Sequence, residues 1–398
     1  MNLFKFFKRK GNTFSPQDLA DYIGFSVDTY AGRRVSPALA LKLTAVFGCV
    51  RVLAESVGML PCFLYQSTDN GRIKAPKEKL YSLLYVAPNE YMTPQEFWEY
   101  LIGCLCLRGN FYAYKVKVFG EVVELLPLLP DSVHPKLNEK WEPVYQVTFP
   151  DGSCETLSQN EIWHVRTFTT DSLVGLSPIS YARQAIGLGL ATEEHGARLF
   201  NNGAVPRGVL QTDDSLTDEA YKHLKDSFQE QHQGLSNAHK PMILEKGLKW
   251  SNISMSAEDV QFLDTRKFQL EEICRIFRVP LHMLQNTDRA TFNNIENLGM
   301  GFVNYSLVPY LTRIEQRINN GLVSKEKRGQ FYAKFNVGAL LRGDMKSRYE
   351  SYATGINWGI LSPNECRDLE ERNPREGGDV YLTPMNMTTK PQDNDNVK

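Results

Sequence analysis

Few residues in this sequence have the types and the spacing that could do chemistry. Glu193-Glu194-His195 offers the side chains of a metal site, but adjacent residues on a helix point in different directions. A solvated patch, or charges that face a channel, is the better interpretation. Cys104-Leu105-Cys106 lies in an apolar run and lacks the spacing of a zinc-binding pair. His164 follows Trp163 in a predicted strand, where a hydrogen-bonded core histidine is more common than a catalytic base.

The sequence also lacks the common catalytic and nucleotide-binding motifs. The sequence contains no GxxxxGK[ST], no HExxH, no GxSxG and no paired CxxC. A chain of 398 residues without one convergent set of acid, base or nucleophile is expected not to be an enzyme. We likewise expect no metal ion and no cofactor.

The composition is that of a globular chain with balanced charge. Hydrophobic residues make up 42% and charged residues 23%, and 398 residues are enough for two or three domains. A net charge of −1 argues against tight nucleic-acid binding by a cationic groove. The seven cysteines are odd in number and mostly lie in apolar runs, which favours reduced core thiols.

Residues 1–35 are predicted to form a loosely ordered arm. Residues 1–10 place hydrophobic side chains among and before their cations, whereas a signal peptide has the reverse order. No segment reaches the roughly 18 apolar residues that a membrane span needs, so we expect no membrane partner.

Two long helices separated by a small insertion organise the chain. Small and apolar residues recur at helical spacing through residues 178–202, and a second apolar stripe runs through residues 256–280. Residues 203–255 are predicted to form a β-α-β module that is too small to bury much core alone. Each glycine inside the first helix costs roughly 1 kcal/mol relative to alanine. We therefore expect this helix to pack closely against its own copies in a ring, although such glycines also mark a loop or a kinked helix.

A polar loop and a kinked helix follow in residues 281–321. Apolar residues recur at helical spacing after the loop, and Pro309 must bend the helix. The loop and the helix are candidates for movement, although an ordinary surface loop gives the same pattern.

The flanking parts form a mixed domain and a helical C-terminus. Residues 36–177 combine two helices with an antiparallel sheet, which predicts an α+β fold. Residues 322–387 contain a strand and two further helices, and Ser362 is placed to cap the second of them. The polar residues 388–398 are predicted to be disordered.

Five short motifs occur in a fixed order along the chain. They are Gly175-Leu176-Ser177-Pro178-Ile179, Pro206-Arg207-Gly208-Val209-Leu210, Ile276-Phe277-Arg278-Val279-Pro280, the run from Leu307 to Glu315, and Asn364-Glu365-Cys366-Arg367 with the following Gly377-Gly378-Asp379 and Pro384-Met385-Asn386. Together they resemble the portal proteins of long-tailed bacteriophages over about residues 35–387. Arg278 is a departure, because the family more often has glycine there.

The resemblance implies a portal fold with named parts. These are a wing (36–177), a two-helix stem (178–202 and 256–280), a clip (203–255), a tunnel loop with a kinked helix (281–321), and a wing return strand with a helical crown (322–387). It implies a ring, commonly of twelve copies, at one capsid vertex, through which double-stranded DNA is packaged and ejected. The implied partners are the terminase, the major capsid protein and the head–tail adaptor. The implied location is the virion, and the host cytoplasm during assembly.

A conduit must pass DNA without gripping it, because each cation that faces a phosphate adds affinity. Acids on the stem suit this role, and the stem candidates are Glu193, Glu194, Glu258 and Asp259. The resemblance makes the tunnel loop face DNA, with Thr287, Asp288, Arg289 and Thr291 as the candidates at the narrowest point.

Two alternatives stay open from the sequence. A different oligomeric phage connector, such as a head–tail adaptor, would share the ring but is usually much shorter. A DNA-processing enzyme would require a carboxylate or lysine constellation, and a metal-dependent cleavage assay would distinguish it.

Overall fold

The computed structural model describes residues 29–69, 71–149, 151–201, 208–211, 217–219, 221–223, 226, 249–252, 257–284, 295–340, 345–370 and 372–382. The helices are α1 (Pro37–Ala40), α2 (Thr44–Gly58), α3 (Lys79–Tyr85), α4 (Pro94–Arg108), α5 (Pro178–Tyr181), α6 (Arg183–Asn201), α7 (Ala257–Phe277), α8 (Ile295–Gly301), α9 (Val308–Gly321), α10 (Met345–Asn357) and α11 (Pro363–Leu369). The strands are β1 (Cys62–Thr68), β2 (Gly71–Lys74), β3 (Asn110–Val118), β4 (Glu121–Leu128), β5 (Val133–Leu137), β6 (Pro143–Thr148), β7 (Cys154–Ser158), β8 (Ile162–Arg166), β9 (Gly208–Gln211), β10 (Lys249–Asn252) and β11 (Phe331–Phe335). The chain is α+β, as the sequence predicts.

Antiparallel strands outside the insertion form three small sheets in the described part of the chain. Their strand orders are β11-β1-β2, β4-β3-β8 and β5-β6-β7. The sequence predicts a single sheet in residues 36–177, and that prediction is wrong. The β5-β6-β7 sheet packs through a separate small core that includes Tyr145 and Val147, whereas β1 pairs with the distant β11.

The return of the chain to its N-terminal domain completes the sheet around β1. Leu64 on β1 lies opposite Ala333 on β11 in antiparallel register. Side chains of α9 satisfy the other edge of β11, because Asn319 Oδ1 accepts from Ala333 N (2.8 Å) and Glu315 Oε1 accepts from Phe335 N (2.9 Å). A strand edge that would otherwise be open is therefore covered by a helix.

One continuous hydrophobic core joins this domain to the stem helices. Its centre is an aromatic cluster in which Trp98 and Phe111 both pack edge-on against Phe97, with ring centroids 5.2 and 5.6 Å apart. Fully buried residues of α7 and α9, among them Phe277 and Ile314, belong to the same core. Burial of each such side chain stabilises the fold by roughly 1.5–3 kcal/mol.

The first stem helix is interrupted close to its start. The sequence predicts one helix over residues 178–202, but α5 ends at Tyr181 and α6 begins at Arg183. Ala182 between them has φ −91° and ψ 8°, and Ser177 caps α5 by accepting from Ser180 N at 3.2 Å. The prediction of an unbroken helix is therefore wrong at this point.

Two glycines of α6 allow close contacts within the chain. A Cβ built on Gly187 would lie 2.6 Å from Thr29 Oγ1, and one on Gly189 would lie 3.0 Å from Leu43 Cδ2. These glycines thus let the end of the N-terminal arm and the start of α2 approach α6. Packing of this helix between copies stays a prediction.

Only parts of the insertion and of the tunnel segment are described. In the insertion β9 pairs antiparallel with β10, so that Val209 lies opposite Ser251. In the tunnel segment a π-helical stretch, Phe302–Leu307, joins α8 to α9, and Val308 N donates to Val303 O. The widened turns lie directly before Pro309, which has no N–H to donate. The kink that the sequence predicts at Pro309 stays a prediction.

Asn364 explains why two separated motifs near the C-terminus occur together. Its Nδ2 donates to Arg375 O (3.0 Å) and to Asp379 Oδ1 (2.9 Å), while its Oδ1 accepts from Arg375 N (2.8 Å). Its backbone N–H donates to Gly378 O. Ser362 and Glu365 form the predicted capping box at the start of α11.

The side chain of Asn110 likewise holds the motif that begins at Gly175 through hydrogen bonds to its backbone. Its Oδ1 accepts from Gly175 N (2.8 Å) and its Nδ2 donates to Gly175 O (2.8 Å) and to Arg108 O (3.1 Å). The same Oδ1 lies 3.1 Å from His164 Nε2. One buried amide therefore fixes the entry to the stem against the turn between α4 and β3.

The variant Asn110→Ala should strongly destabilise the subunit. It leaves the N–H and C=O of Gly175 and a ring nitrogen of His164 without partners, and each buried unsatisfied group costs roughly 1–3 kcal/mol. We expect the free energy of unfolding, measured by urea denaturation, to fall by about 3 kcal/mol or more. Asn160→Ala, at an exposed position, is the control, and equal stability of the two variants would contradict this role.

Candidate channel and subunit interface

The predicted channel residues are described only in part. Four of them lie outside the described residues: Thr287, Asp288, Arg289 and Thr291. Glu258 and Asp259 lie in the first turn of α7, and their side chains are also outside the described part. Contact of these residues with DNA stays a prediction.

Of the two acids on α6, Glu194 makes ion pairs within the chain. Its carboxylate contacts the guanidinium group of Arg33, and its Oε1 lies 2.6 Å from Arg198 Nη2. A carboxylate shared by two arginines has little charge left to repel DNA. Glu193, which is half-buried, is therefore the better channel candidate of the two.

The N-terminal arm is ordered where it reaches α6. Tyr30 N donates to Gln184 Oε1 at 3.0 Å, and Arg33 makes the ion pair with Glu194. The prediction of a loose arm therefore does not hold for residues 29–35, while residues 1–28 lie outside the described part of the chain.

Helix α7 ends at an arginine in the left-handed conformation. Arg278 has φ 55°, a region that only glycine enters freely. Its N–H donates to Arg275 O (3.2 Å) and Val279 N–H donates to Cys274 O (2.9 Å), which is the Schellman arrangement. Ser306 Oγ donates to Arg278 O and so fixes this turn against the π-helical stretch. A side chain at such a position costs about 1–2 kcal/mol.

Four arginines form a row from the end of α7 along α9 to the end of β8. The order is Arg278, Arg313, Arg317 and Arg166, and each is near enough to the next for mutual repulsion. Burial, and then this repulsion, lowers the pKa of Arg313 and of Arg317. Arg166 Nη1 donates to Leu173 O (2.8 Å) and Arg313 Nη1 donates to Arg166 O (2.9 Å). Within the described residues, none of the four makes an ion pair with a carboxylate.

A recess of about 320 Å³ opens beside Arg278 and Arg313. Aromatic side chains line it, and two of them face solvent, with Tyr181 72% and Phe168 70% exposed. Tyr310 is the third, and burial raises the pKa of its hydroxyl. The recess is therefore cationic and aromatic, and its described walls carry no acid.

Sequence reasoning did not identify this row of arginines. Arg166, Arg313 and Arg317 lie on two elements about 150 residues apart, and nothing in their local spacing shows that they meet. The one sequence feature that marks a member of the row is Arg278, because the family more often has glycine at that position.

Most of the cysteines, and His164, are buried in the core. Six of the seven free cysteines are buried, and burial raises the pKa of Cys104 and of Cys106 to about 12. No group of three or more His, Cys, Asp or Glu among the described residues could hold a metal ion. His164 is a hydrogen-bonded core residue, as predicted, next to Asn110 and Tyr145. None of the helices described is long and apolar enough to cross a membrane.

Comparisons of the sequence with known proteins give one family. The phage portal protein family matches residues 44–371. The portal protein of Enterobacteria phage HK97 is 32% identical over 379 residues, which cover 94% of this chain and 87% of that protein. A probable portal protein of Streptomyces phage phiC31 is 30% identical over 371 residues, with 90% and 81% covered.

Solved structures share the fold. A chain in the virion of a native gene transfer agent particle matches with a TM-score of 0.63 at 25% identity, over 92% of this chain and 97% of that one. A chain in the neck of the native particle, computed with C12 symmetry, gives a TM-score of 0.60 over the same shares. An HK97 family portal protein from Corynebacterium diphtheriae, 16% identical, matches in fold with a TM-score of 0.52 over 79% and 98% of the two chains. The fold is thus that of a portal protein. This chain belongs to the phage portal protein family.

His164 should make the stability of the subunit depend on pH. Burial, and then the charges of Arg166 and Arg317, hold its pKa well below the usual value. Below about pH 6.5 the unfolded chain binds a proton at this histidine and the folded chain does not. The free energy of unfolding therefore falls by up to about 1.4 kcal/mol for each pH unit in that range. This contribution is fully present above pH 6.5 and is lost as the pH falls. Urea unfolding between about pH 7.5 and pH 5 measures it.

The variant His164→Gln tests that assignment. Its amide can still donate to Asn110 but does not titrate, so the free energy of unfolding should fall less steeply with decreasing pH. His223→Gln, at an exposed position of the insertion, is the matched control. The same slope in wild type and in His164→Gln would show that another group causes the dependence.

Proposed function

We propose that copies of this chain form a portal ring at one capsid vertex, through which double-stranded DNA is packaged and ejected. The observation that carries the proposal is the match of 92% of the chain to a chain in a particle neck computed with C12 symmetry. That symmetry supports twelve copies. The ring would be a structural part of the virion, without enzymatic activity of its own.

The charges of the stem support passage of DNA rather than binding. Glu193 lies on α6, and Glu258 and Asp259 lie at the start of α7, whereas the whole chain carries a net charge of only −1. Phosphates gain affinity from cations, so a channel with few unpaired cations would hold DNA weakly. The loop that contains Asp288 and Arg289 would provide the narrowest contact.

The ring would meet different partners in sequence. In the host cytoplasm it would be built into the shell of the major capsid protein and would receive the terminase that drives DNA inward. After packaging, a head–tail adaptor would replace the terminase at the clip, residues 203–255. The terminase would bind before the adaptor because DNA would enter and leave the capsid through the same opening.

The purified chain should form rings with a central hole. Negative-stain images should show end-on views with twelvefold symmetry, and native mass spectrometry should give a mass near twelve times 45.3 kDa. Particles disrupted under mild conditions are the second source of material. Single compact subunits from both sources would contradict the proposal.

The double variant Asp288→Ala with Arg289→Ala tests the tunnel loop. It removes both charges predicted at the narrowest point, and we expect a severalfold change in nuclease-protected DNA per particle. Asp69→Ala with Arg72→Ala, which removes an exposed acid and an exposed base near the β1–β2 turn, is the matched control. If packaging and retention of DNA were both unchanged, the assignment of this loop to the narrowest part of the channel would be wrong.

A further inference from the structure

Within the described residues, no carboxylate compensates the positive charge of the row of arginines. Arg313 and Arg317 are half-buried, so their charges are less well solvated than on an open surface. Each also lies near a like charge, Arg278 in one case and Arg166 in the other. Neighbouring carboxylates usually accompany such groups, and the described part of the chain supplies none. The arrangement calls for an anion that the described residues do not supply.

Arg278 adds a second, independent observation. Its φ of 55° would suit glycine, and arginine at this position strains the end of α7. The side chain is exposed and borders the recess. Strained conformations persist where the side chain serves another purpose, and a contact made by the guanidinium group would be such a purpose.

The rim of the recess has the composition of a protein contact. Tyrosine and arginine dominate the energetic centres of protein interfaces, and both line this recess. Tyr181 and Phe168 are large and mostly exposed in the single subunit. A partner that covers them would bury aromatic surface and exclude water from the guanidinium groups at the same time.

Charge balance favours a second copy of the chain as that partner. The chain has 45 basic and 46 acidic residues, so a row of four arginines that pair with no carboxylate among the described residues leaves more acids than bases in the rest of the chain. In a ring, one face of each subunit meets a different face of its neighbour, because the contact is head-to-tail. A cationic face on one side would therefore be stabilised by acidic side chains on the facing side of the neighbour.

We propose that the recess bounded by Arg278 and Arg313 is one half of the contact between neighbouring subunits, and that it receives carboxylate side chains of a second copy. The inference rests on the proposed ring. Guanidinium groups bind carboxylates through two parallel hydrogen bonds, which gives such a contact both strength and orientation. The neighbour's carboxylates would offset the repulsion along the row.

The double variant Arg278→Gly with Arg313→Gln separates this role from a purely structural one. It relieves the strain and part of the repulsion but removes the hydrogen bond from Arg313 to Arg166 O, so the melting temperature of the single subunit should change little. Ring assembly should weaken, with the concentration for half-assembly, measured by sedimentation velocity, rising roughly tenfold or more. Arg278→Lys keeps both charge and strain and should assemble more readily than the double variant.

The control is Arg51→Gln on α2. Arg51 is 61% exposed and pairs with Glu55 of its own chain at 2.7 Å, so its loss should not affect the ring. Higher salt should weaken the wild-type ring more than that of the double variant, because screening acts on the pairs the variant has already lost. If the wild type forms rings and the double variant forms rings of equal stability, the recess is not part of the contact, while the proposed ring itself still stands. A wild type that forms no ring, in solution or in particles, would overturn the ring as well.

A cross-link identifies the occupant directly. With Tyr181 replaced by p-benzoylphenylalanine, irradiation of assembled particles should join the recess to an Asp- or Glu-containing peptide of a second copy. Mass spectrometry of isotopically mixed subunits distinguishes contact between copies from contact within one chain. Cross-linking to DNA, to another particle protein or only within the same chain would overturn the proposal.

Discussion

The docking of α9 between β8 and β11 is the constraint on which the rest of the structure depends. Trp163 Nε1 on β8 donates to Arg317 O at 2.9 Å, while Glu315 and Asn319 accept from two backbone N–H groups of β11. Helix α9 follows the whole excursion of the chain through the stem and the insertion. These contacts therefore tie the end of the excursion to the domain where it began. Because Ser306 Oγ also binds the end of α7, the same docking orients the stem.

Local signals in the sequence predict much of the fold. Thr93 and Glu96 form the capping box that begins α4, and apolar spacing predicts α7 to within a few residues of its observed bounds. The single helix predicted after the tunnel loop is divided into α8, the π-helical stretch and α9. The break at Ala182 escapes such reasoning, since small residues continue at the same spacing on both sides. Close to the break, Ser177 Oγ donates to Leu107 O and so holds α5 against the end of α4, a contact between residues 70 positions apart. Periodicity carries no information on such a contact.

The candidate site was less accessible to prediction for the same reason. The motifs around Gly175 and Asn364 could be recognised in the sequence, but Asn110, which binds the first of them, lies 65 residues away. The division into three sheets likewise depends on β1 pairing with a strand that follows the stem. The row of arginines exists only after α7, α9 and β8 have come together. Only the contrast between Arg278 and the usual glycine marked one end of it.

The strain at Arg278 and the repulsion along the row destabilise a free subunit. Both lie where α7 meets the π-helical stretch before α9. The large shared core keeps the subunit folded in spite of them. In the proposed ring a neighbour's carboxylates would act on this same junction, which also sets the direction of the stem. Assembly would therefore do more than place subunits side by side. It would stabilise the orientation of each stem helix pair at the point where that orientation is determined, and so couple closure of the ring to the shape of its channel.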